Sequence, residues 1–288
     1  MPTTVPAAFD LLHSWLVPTA GETQTAASHR ASIEACLKSN FGMTNFFRSG
    51  SFGHGTSIRT VSDVDYMAVI PPGNLADNSS TALENVKSAL VKRFPNTNVH
   101  IRNPAVVIPF GTGPAERHEV TPGYYLENAD GYNVYGISNR AGSWMRTSPT
   151  AHGAWINDIN DNLSKKLKPL IRFMKLWNFK RSGGIRSFYL ELRTGEYARG
   201  ESTIVYSIDM LASLRHLRNK GLAQMQDPMG ISGYIPACSD AVKQDALSKI
   251  DTAISRAEKA RDAEKEGRIS QAFDYWKLVF DGYFPNYG

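Results

Sequence analysis

The 288-residue sequence has little cysteine, no long hydrophobic segment and no block of basic residues. Its two cysteines, Cys36 and Cys238, are far apart, which excludes a disulfide-stabilised scaffold and a cysteine-rich zinc ribbon. No stretch approaches the roughly 18 uninterrupted apolar residues that a membrane-spanning helix needs. The first ten residues lack the basic start and apolar core of a signal peptide. We therefore expect a soluble protein of the reducing cytoplasm that makes no membrane contact.

The composition is otherwise that of a folded protein with a sizeable core. Hydrophobic residues make up 42% of the sequence and charged residues 20%. With 32 basic and 27 acidic residues, the formal net charge is +5. This mild excess suits a ligand that carries phosphate, but the basic residues are scattered along the chain. Because zinc-ribbon cysteines are also lacking, we expect no nucleic-acid activator.

The two halves of the chain differ in their patterns. Up to about residue 150, predicted helices and short strands are interleaved, whereas most later segments have helical periodicity. We therefore predict two domains, 1–150 and 151–288. The polar stretch 136–152 is predicted to connect them. The helical segments that begin the chain could pack on either half.

The most informative segment, residues 50 to 65, reads G-S-F-G-H-G-T-S-I-R-T-V-S-D-V-D. Asp63 and Asp65 are two apart on a predicted strand, so that their side chains point to the same face. Two adjacent carboxylates repel each other unless cations bind between them or a proton is shared. Magnesium prefers such oxygen ligands. Gly50 and Ser51 offer exposed amides that can hold phosphate oxygens. The alternative is a surface hairpin with solvated aspartates.

The combination of Gly50-Ser51, Gly55-Thr56 and Ser62-Asp63-Val64-Asp65 resembles the polymerase-β-like nucleotidyltransferases. In that superfamily the Gly-Ser turn holds the triphosphate and the Asp-x-Asp strand binds two magnesium ions. A third carboxylate comes from a neighbouring strand, and Glu119 stands at its position, where the family often has aspartate. An ordinary exposed strand carboxylate is the alternative for this residue, and Glu116 is the nearest other acid.

The second half of the chain narrows the resemblance. Residues 170–177, LIRFMKLW, and residues 187–192, SFYLEL, resemble the helical C-terminal domain of 2′-5′-oligoadenylate synthetases. Cyclic GMP-AMP synthase and its bacterial relatives, the cGAS/DncV-like nucleotidyltransferases, share that architecture. The resemblance implies an α+β fold. It further implies a mixed-sheet polymerase-β-like nucleotidyltransferase core packed against a helical C-terminal domain, in a bilobal molecule with a central cleft.

The same resemblance assigns three residues of the second half to the nucleotide. Lys175 and Ser187 match residues near the triphosphate, and Phe188 falls where an aromatic ring stacks on the base. Lys175 also stands in an apolar helix, where a buried ammonium needs a partner. The alternatives are a lysine whose stem lies on the surface with its head in water, and a core role for Phe188.

The resemblance implies that a ribose hydroxyl attacks the α-phosphate of a nucleoside triphosphate, ATP or GTP, and that pyrophosphate leaves. Asp63, Asp65 and Glu119 are expected to hold two Mg²⁺ ions, with Mn²⁺ as a substitute. Bacterial relatives join nucleotides into a cyclic oligonucleotide that activates a co-encoded effector in antiphage defence. The alternatives are a linear oligonucleotide synthetase, transfer to another small molecule, and an inactive module that binds nucleotide or RNA. The intact Asp-x-Asp pair argues against the last.

Overall fold

The structure, a computed structural model, describes residues 1–59, 61–111, 117–139 and 141–288, without the side chains of residues 20–26. The helices described are α1 (Val5–Leu16), α2 (Ala20–Phe41), α3 (Gly50–His54), α4 (Ser79–Arg93), α5 (Pro149–Asn162), α6 (Leu167–Lys180), α7 (Ser187–Ala198), α8 (Tyr206–Asn219), α9 (Asp240–Lys265) and α10 (Ile269–Val279). The strands are β1 (Asn45–Arg48), β2 (Val64–Val69), β3 (His100–Arg102), β4 (Ala105–Pro109), β5 (Arg117–Ala129), β6 (Tyr132–Ser138), β7 (Trp144–Thr147), β8 (Met225–Gln226) and β9 (Tyr234–Ile235).

The chain forms two compact units, one built on a sheet and one helical. The sheet unit contains residues 18–155 and 227–233, and the helical unit contains the remainder. The predicted domains 1–150 and 151–288 differ from these units in two main respects. Helix α1 belongs to the helical unit, and a short segment of the second half belongs to the sheet unit.

The sheet unit contains one mixed sheet, in the order β1-β2-β5-β4-β3. Strands β2 and β5 are parallel, and the other described pairs of this sheet are antiparallel. Strand β5 is long enough to pair with β2 and β4 through its first half and with β6 through its second half. The mixed α/β architecture confirms the predicted fold class.

One face of the sheet carries the core of this unit. Val64 and Tyr66 of β2 pack in a cluster with apolar residues of α2 and α4. Asn78 is the N-cap of helix α4, and its side chain accepts hydrogen bonds from two backbone N–H groups of the first turn. Because side chains alternate along a strand, Asp65 points to the opposite face, as does Met67, which belongs to a separate small cluster. Asp65 therefore lies on the face of β2 that points away from α2 and α4.

The helical unit packs around the aromatic ring of Phe9 in α1. The ring centroid of Phe9 lies 5.2 Å from that of Phe173 in α6 and 5.0 Å from that of Trp276 in α10, both in edge-on geometry. Such pairs stabilise a core beyond the area they bury. This aromatic packing explains why the first helix belongs to the helical unit rather than to the sheet.

The polar stretch 136–152 was predicted to be a connecting region, but in the structure it contains regular elements. It contains the end of β6, all of β7 and the start of α5. Gly136 in β6 stands opposite Tyr124 of β5, and a Cβ at this glycine would lie 2.9 Å from the tyrosine ring. The glycine that resembles a loop signal therefore makes room for an aromatic ring within the sheet.

None of the helices in the described part of the chain is long and apolar enough to cross a bilayer. Cys36 and Cys238 are both free thiols.

Candidate active site

Three acidic residues lie together where β2 and β5 begin. Asp65 of β2 stands directly opposite Glu119 of β5 in the parallel register, and side chains at paired positions of parallel strands lie on one face. Asp63 precedes the strand by one residue and is linked to Glu119 through a shared arginine. We call Asp63, Asp65 and Glu119 the carboxylate triad.

The Gly-Ser turn packs directly on this triad. Gly50 has a φ of +52°, and a Cβ on it would overlap the carboxylate of Asp65. The backbone N–H of Ser49 donates a hydrogen bond of 3.0 Å to the carbonyl oxygen of Asp65, and the N–H of Thr56 donates one of 2.8 Å to the carbonyl of Ser51. The structure therefore places Gly50 against the Asp65 carboxylate, with Ser51 next to it in the chain. The segment predicted as a turn forms the short helix α3.

We expect Gly50→Ala to disturb the site through both backbone strain and the collision with Asp65. Strain at a positive φ costs on the order of 1 kcal/mol, and the collision adds to it. The matched control is Gly131→Ala at the β5–β6 hairpin, where φ is +85° and nothing lies within 4 Å of the added Cβ. Thermal unfolding should show a larger loss of stability for Gly50→Ala than for the control. Equal losses would contradict the close approach.

Two arginines pair with the triad, and neither is among the predicted site residues. Arg102, at the end of β3, donates a hydrogen bond of 3.1 Å to Asp63 and a second one to Glu119. Arg117, at the start of β5, donates to Asp63, and its Nε lies 3.9 Å from a carboxylate oxygen of Glu119. Arg117 is two residues from Glu119 on one strand, so strand alternation could have revealed it. The contact of Arg102 arises only from the fold.

Electrostatics at the triad reflect burial and the closeness of like charges. Burial raises the pKa of Glu119, and the neighbouring Asp63 carboxyl adds to this, while the hydrogen bond from Arg102 opposes it. The Oδ1 atom of Asp63 is buried and has no hydrogen-bond partner. An unpartnered carboxylate oxygen beside two further carboxylates is a donor set that suits a hard divalent cation.

The side chains are nevertheless not arranged as a preformed metal site. Within the described ranges, no three His, Cys, Asp or Glu side chains are grouped as metal ligands. In the structure, the guanidinium groups of Arg102 and Arg117 contact Asp63 and Glu119 instead. The donor set fits magnesium, provided that the two arginines withdraw.

The three predicted residues of the second half lie in the helical unit. Lys175 in α6 is buried and donates a hydrogen bond to the carboxylate of Glu191 in α7, which is buried as well. The surface-lysine alternative is therefore wrong, because the ammonium lies in the interior. Ser187, the first residue of α7, is exposed and Phe188 is half-buried. Their assignment to a nucleotide stays a prediction.

Two further residues, Glu116 and His118, are close to Glu119 in the sequence. Glu116, the alternative third acid, lies outside the described residues. His118 is fully buried, and its ring stacks on that of Tyr66 in β2, with centroids 5.8 Å apart. This places His118 on the core face of β5, opposite to Glu119, as strand alternation predicts.

A buried hydrogen bond between a histidine and an aspartate also lies in the sheet unit. His54, the last residue of α3, is buried, and a Cβ on Gly153 of α5 would lie 3.3 Å from its ring. The adjacent His152 pairs with Asp227 at 2.9 Å, and both side chains are buried. Asp227 also accepts hydrogen bonds from three backbone N–H groups of the loop that follows it. The segment 227–233 is thereby anchored to the sheet unit.

The stability that Asp227 contributes should depend on pH. Burial alone would raise its pKa, but the hydrogen bond with His152 and those from the backbone hold the pKa well below its ordinary value. The contribution is therefore present above the unfolded pKa of about 3.9 and is lost as the pH falls toward the lower folded value. We expect Asp227→Asn to lower the free energy of unfolding by about 3 kcal/mol at neutral pH.

Urea unfolding at pH 7 and near pH 3 tests this. The difference between wild type and Asp227→Asn should shrink at the lower pH, and a difference independent of pH would contradict the assignment. The control is Asp161→Asn, which removes an exposed ion pair with Lys165 and should leave the unfolding midpoint nearly unchanged.

The Asp-x-Asp pair beside a glycine turn, with a third acid opposite Asp65 on a parallel strand, is the arrangement that the resemblance to nucleotidyltransferases implies. The family comparison agrees with this class and makes it more specific. The profile of the Second Messenger Oligonucleotide or Dinucleotide Synthetase domain matches residues 3–160, which is more than half of the chain. The chain belongs to this family, and it is a nucleotidyltransferase. This confirms the resemblance to the cGAS/DncV-like enzymes.

Individual relatives have low sequence identity but cover most of the chain. A probable cyclic nucleotide synthase of Bacillus cereus is 25% identical over 83% of this chain and 81% of that protein. A cyclic AMP-AMP-AMP synthase of an Acinetobacter species is 24% identical over 83% of this chain and 72% of that protein. Among solved structures, Escherichia coli CdnC with ATP has a TM-score of 0.73 at 18% identity, covering 94% of this chain and 95% of that one. At such identity, the structural likeness concerns the fold.

Proposed function

We propose that this enzyme is a metal-dependent synthase that joins nucleoside triphosphates into a cyclic oligonucleotide messenger and releases pyrophosphate. The observation that carries the proposal is the parallel register of β2 and β5, which places Glu119 opposite Asp65 beside the Gly50 turn. The names of the relatives from Bacillus cereus and Acinetobacter, both cyclic nucleotide synthases, support a cyclic product.

Each residue of the site has a distinct role in this reaction. The amides and hydroxyl of the Gly50-Ser51 turn bind the β- and γ-phosphates, where exposed N–H groups suit an anion. Asp63 and Asp65 hold two Mg²⁺ ions, or Mn²⁺, which when bound stabilise the attacking and leaving oxygens. Glu119 completes the site near the attacking ribose hydroxyl, where its carboxylate can accept the hydroxyl proton. Most of the rate enhancement then comes from positioning and electrostatics.

The substrates are ATP, GTP or both, and the product acts on a co-encoded effector in antiphage defence. Support for a triphosphate substrate comes from the structural relative CdnC, whose structure contains ATP. The formal net charge of +5 is compatible with a phosphate-rich substrate. The role in defence rests on the family resemblance alone.

The test is mass spectrometry of the products formed from all four nucleoside triphosphates with Mg²⁺ or Mn²⁺. A cyclic product carries no terminal phosphate, so its mass should be unchanged by phosphatase. A linear product keeps a 5′-triphosphate, loses mass on the same treatment and would overturn the cyclic assignment. Absence of any product, with nucleotide binding retained, would favour the inactive binding module.

Glu119→Gln keeps the shape of the side chain and removes its charge. We expect a large loss of turnover with nucleotide binding mostly retained, because Asp63, Asp65 and the Gly-Ser turn still bind the triphosphate. Steady-state rates and equilibrium binding of a non-hydrolysable triphosphate separate the two effects. Unchanged turnover would point to another acid, with Glu116 the nearest in sequence.

A further inference from the structure

The positive charge nearest to the triad comes from the protein itself. Arg102 contacts both Asp63 and Glu119, and Arg117 contacts Asp63 from the adjacent strand. The carboxylate side chains are nearly buried, with 12% of Asp63 and 9% of Glu119 exposed. Buried carboxylates this close to each other need positive charge nearby, because desolvation and mutual repulsion both disfavour the ionised state.

The two arginines are held differently from the acids they contact. Their side chains are 56% exposed for Arg102 and 41% exposed for Arg117. A guanidinium that is already about half exposed loses little free energy when it withdraws into solvent, because solvent weakens its ion pair. The carboxylates are held by the sheet, because Glu119 lies within β5 and Asp63 directly precedes β2. The arginines are therefore the exchangeable partners of the site, and the acids are the fixed ones.

From this asymmetry we infer that Arg102 and Arg117 are internal counterions, which a divalent cation must displace before the triad can bind it. The inference rests on the proposed metal site and adds a property to it. The arginines stabilise the metal-free protein and weaken its affinity for metal, because the same carboxylate oxygens cannot serve both. Arg102 has the larger effect, since it donates hydrogen bonds to both Asp63 and Glu119. Arg117 donates only to Asp63, and its Nε lies 3.9 Å from Glu119.

The experiment titrates Mn²⁺ alone into the full chain and follows free Mn²⁺ by electron paramagnetic resonance. Arg102→Gln should bind Mn²⁺ about tenfold more tightly than wild type, equivalent to ~1.4 kcal/mol. Arg117→Gln should shift the affinity in the same direction by less. Arg102→Lys keeps the charge and should stay closer to wild type than Arg102→Gln does. Without metal, the thermal midpoint of Arg102→Gln should fall, and its rise on adding Mn²⁺ should exceed that of wild type.

The matched control is Arg146→Gln. Arg146 pairs with Glu127 on the same sheet and is about as exposed as the other two arginines, but it contacts none of the triad. Its Mn²⁺ affinity should equal that of wild type.

The outcomes separate the inference from the proposed function. If wild type binds Mn²⁺ and both glutamine variants bind it equally or more weakly, the inference is overturned, but the proposed metal site stands. No Mn²⁺ binding by wild type or by either variant would overturn the metal site and the inference together. Tighter binding in Arg146→Gln as well would show a general charge effect and would also overturn the inference.

Discussion

Replacing Asp63 and Asp65 together with asparagine is expected to reduce product formation by at least about a thousandfold, equivalent to roughly 4 kcal/mol at the barrier. The reason is that these two carboxylates provide most of the charge with which the site holds its cations. Asparagine keeps the size of each side chain, so the packing of Gly50 against residue 65 is preserved. The measurement is the initial rate of product formation, followed by mass spectrometry.

The stability of the double variant distinguishes loss of chemistry from loss of fold. Removing two like charges relieves repulsion, but it also removes the Asp63 partner of Arg102 and Arg117. These effects oppose each other, so we expect the free energy of unfolding to stay within about 1 kcal/mol of wild type. The control is Glu127→Gln, an exposed acid on the same sheet, which should leave the rate unchanged. A double variant that keeps a near wild-type rate would show that the metal site is misassigned.

The sequence predicted the acidic part of the site better than the basic part. Asp63 and Asp65 are recognisable because they are two residues apart where a strand is predicted, and that relation is local. In the structure β2 begins between them, at Val64. Their alignment with Glu119 depends on the pairing of β2 with β5, and only the family resemblance suggested it. The contact between Asp63 and Arg102 joins residues 39 apart in the chain. No sequence periodicity encodes such a contact. Bound cations and a shared proton were therefore the two predicted ways to relieve the repulsion between the aspartates, and arginines of the protein itself were not among them.

The fold was predicted best where helices and strands follow simple periodicity. The pattern of residues 82–94, for example, predicts a helix, and α4 (Ser79–Arg93) begins three residues earlier and ends one residue earlier. Prediction failed where a contact between residues distant in the sequence outweighs the local conformational preference of a residue. Gly136 stands at the start of the predicted connecting stretch 136–152, yet it accommodates the ring of Tyr124 in a strand. The unit to which α1 belongs was left open, because contacts of Phe9 with rings in α6 and α10 decide it.

Lys175→Met is expected to be the most destabilising of the proposed substitutions. It removes the ammonium and leaves the carboxylate of Glu191 buried beside an apolar side chain. Breaking a buried pair in this way costs about 3–5 kcal/mol. A loss of triphosphate binding in this variant would therefore not show whether Lys175 contacts phosphate, as the family resemblance implies. The free energy of unfolding, measured with urea, checks the size of the effect.

A second variant, Lys175→Met with Glu191→Leu, separates the two roles of the lysine. Replacing a buried ion pair by apolar residues of similar volume is often neutral for stability, so we expect most of the lost stability to return. A charge-assisted contact to phosphate is worth roughly 1.5–3 kcal/mol, which corresponds to about ten- to a hundredfold in affinity. The double variant should therefore still bind a triphosphate that much more weakly, while a nucleoside without phosphates binds nearly as before. Full recovery of triphosphate affinity would show that Lys175 serves only the buried pair, and it would remove the support that this lysine lends to the assignments of Ser187 and Phe188.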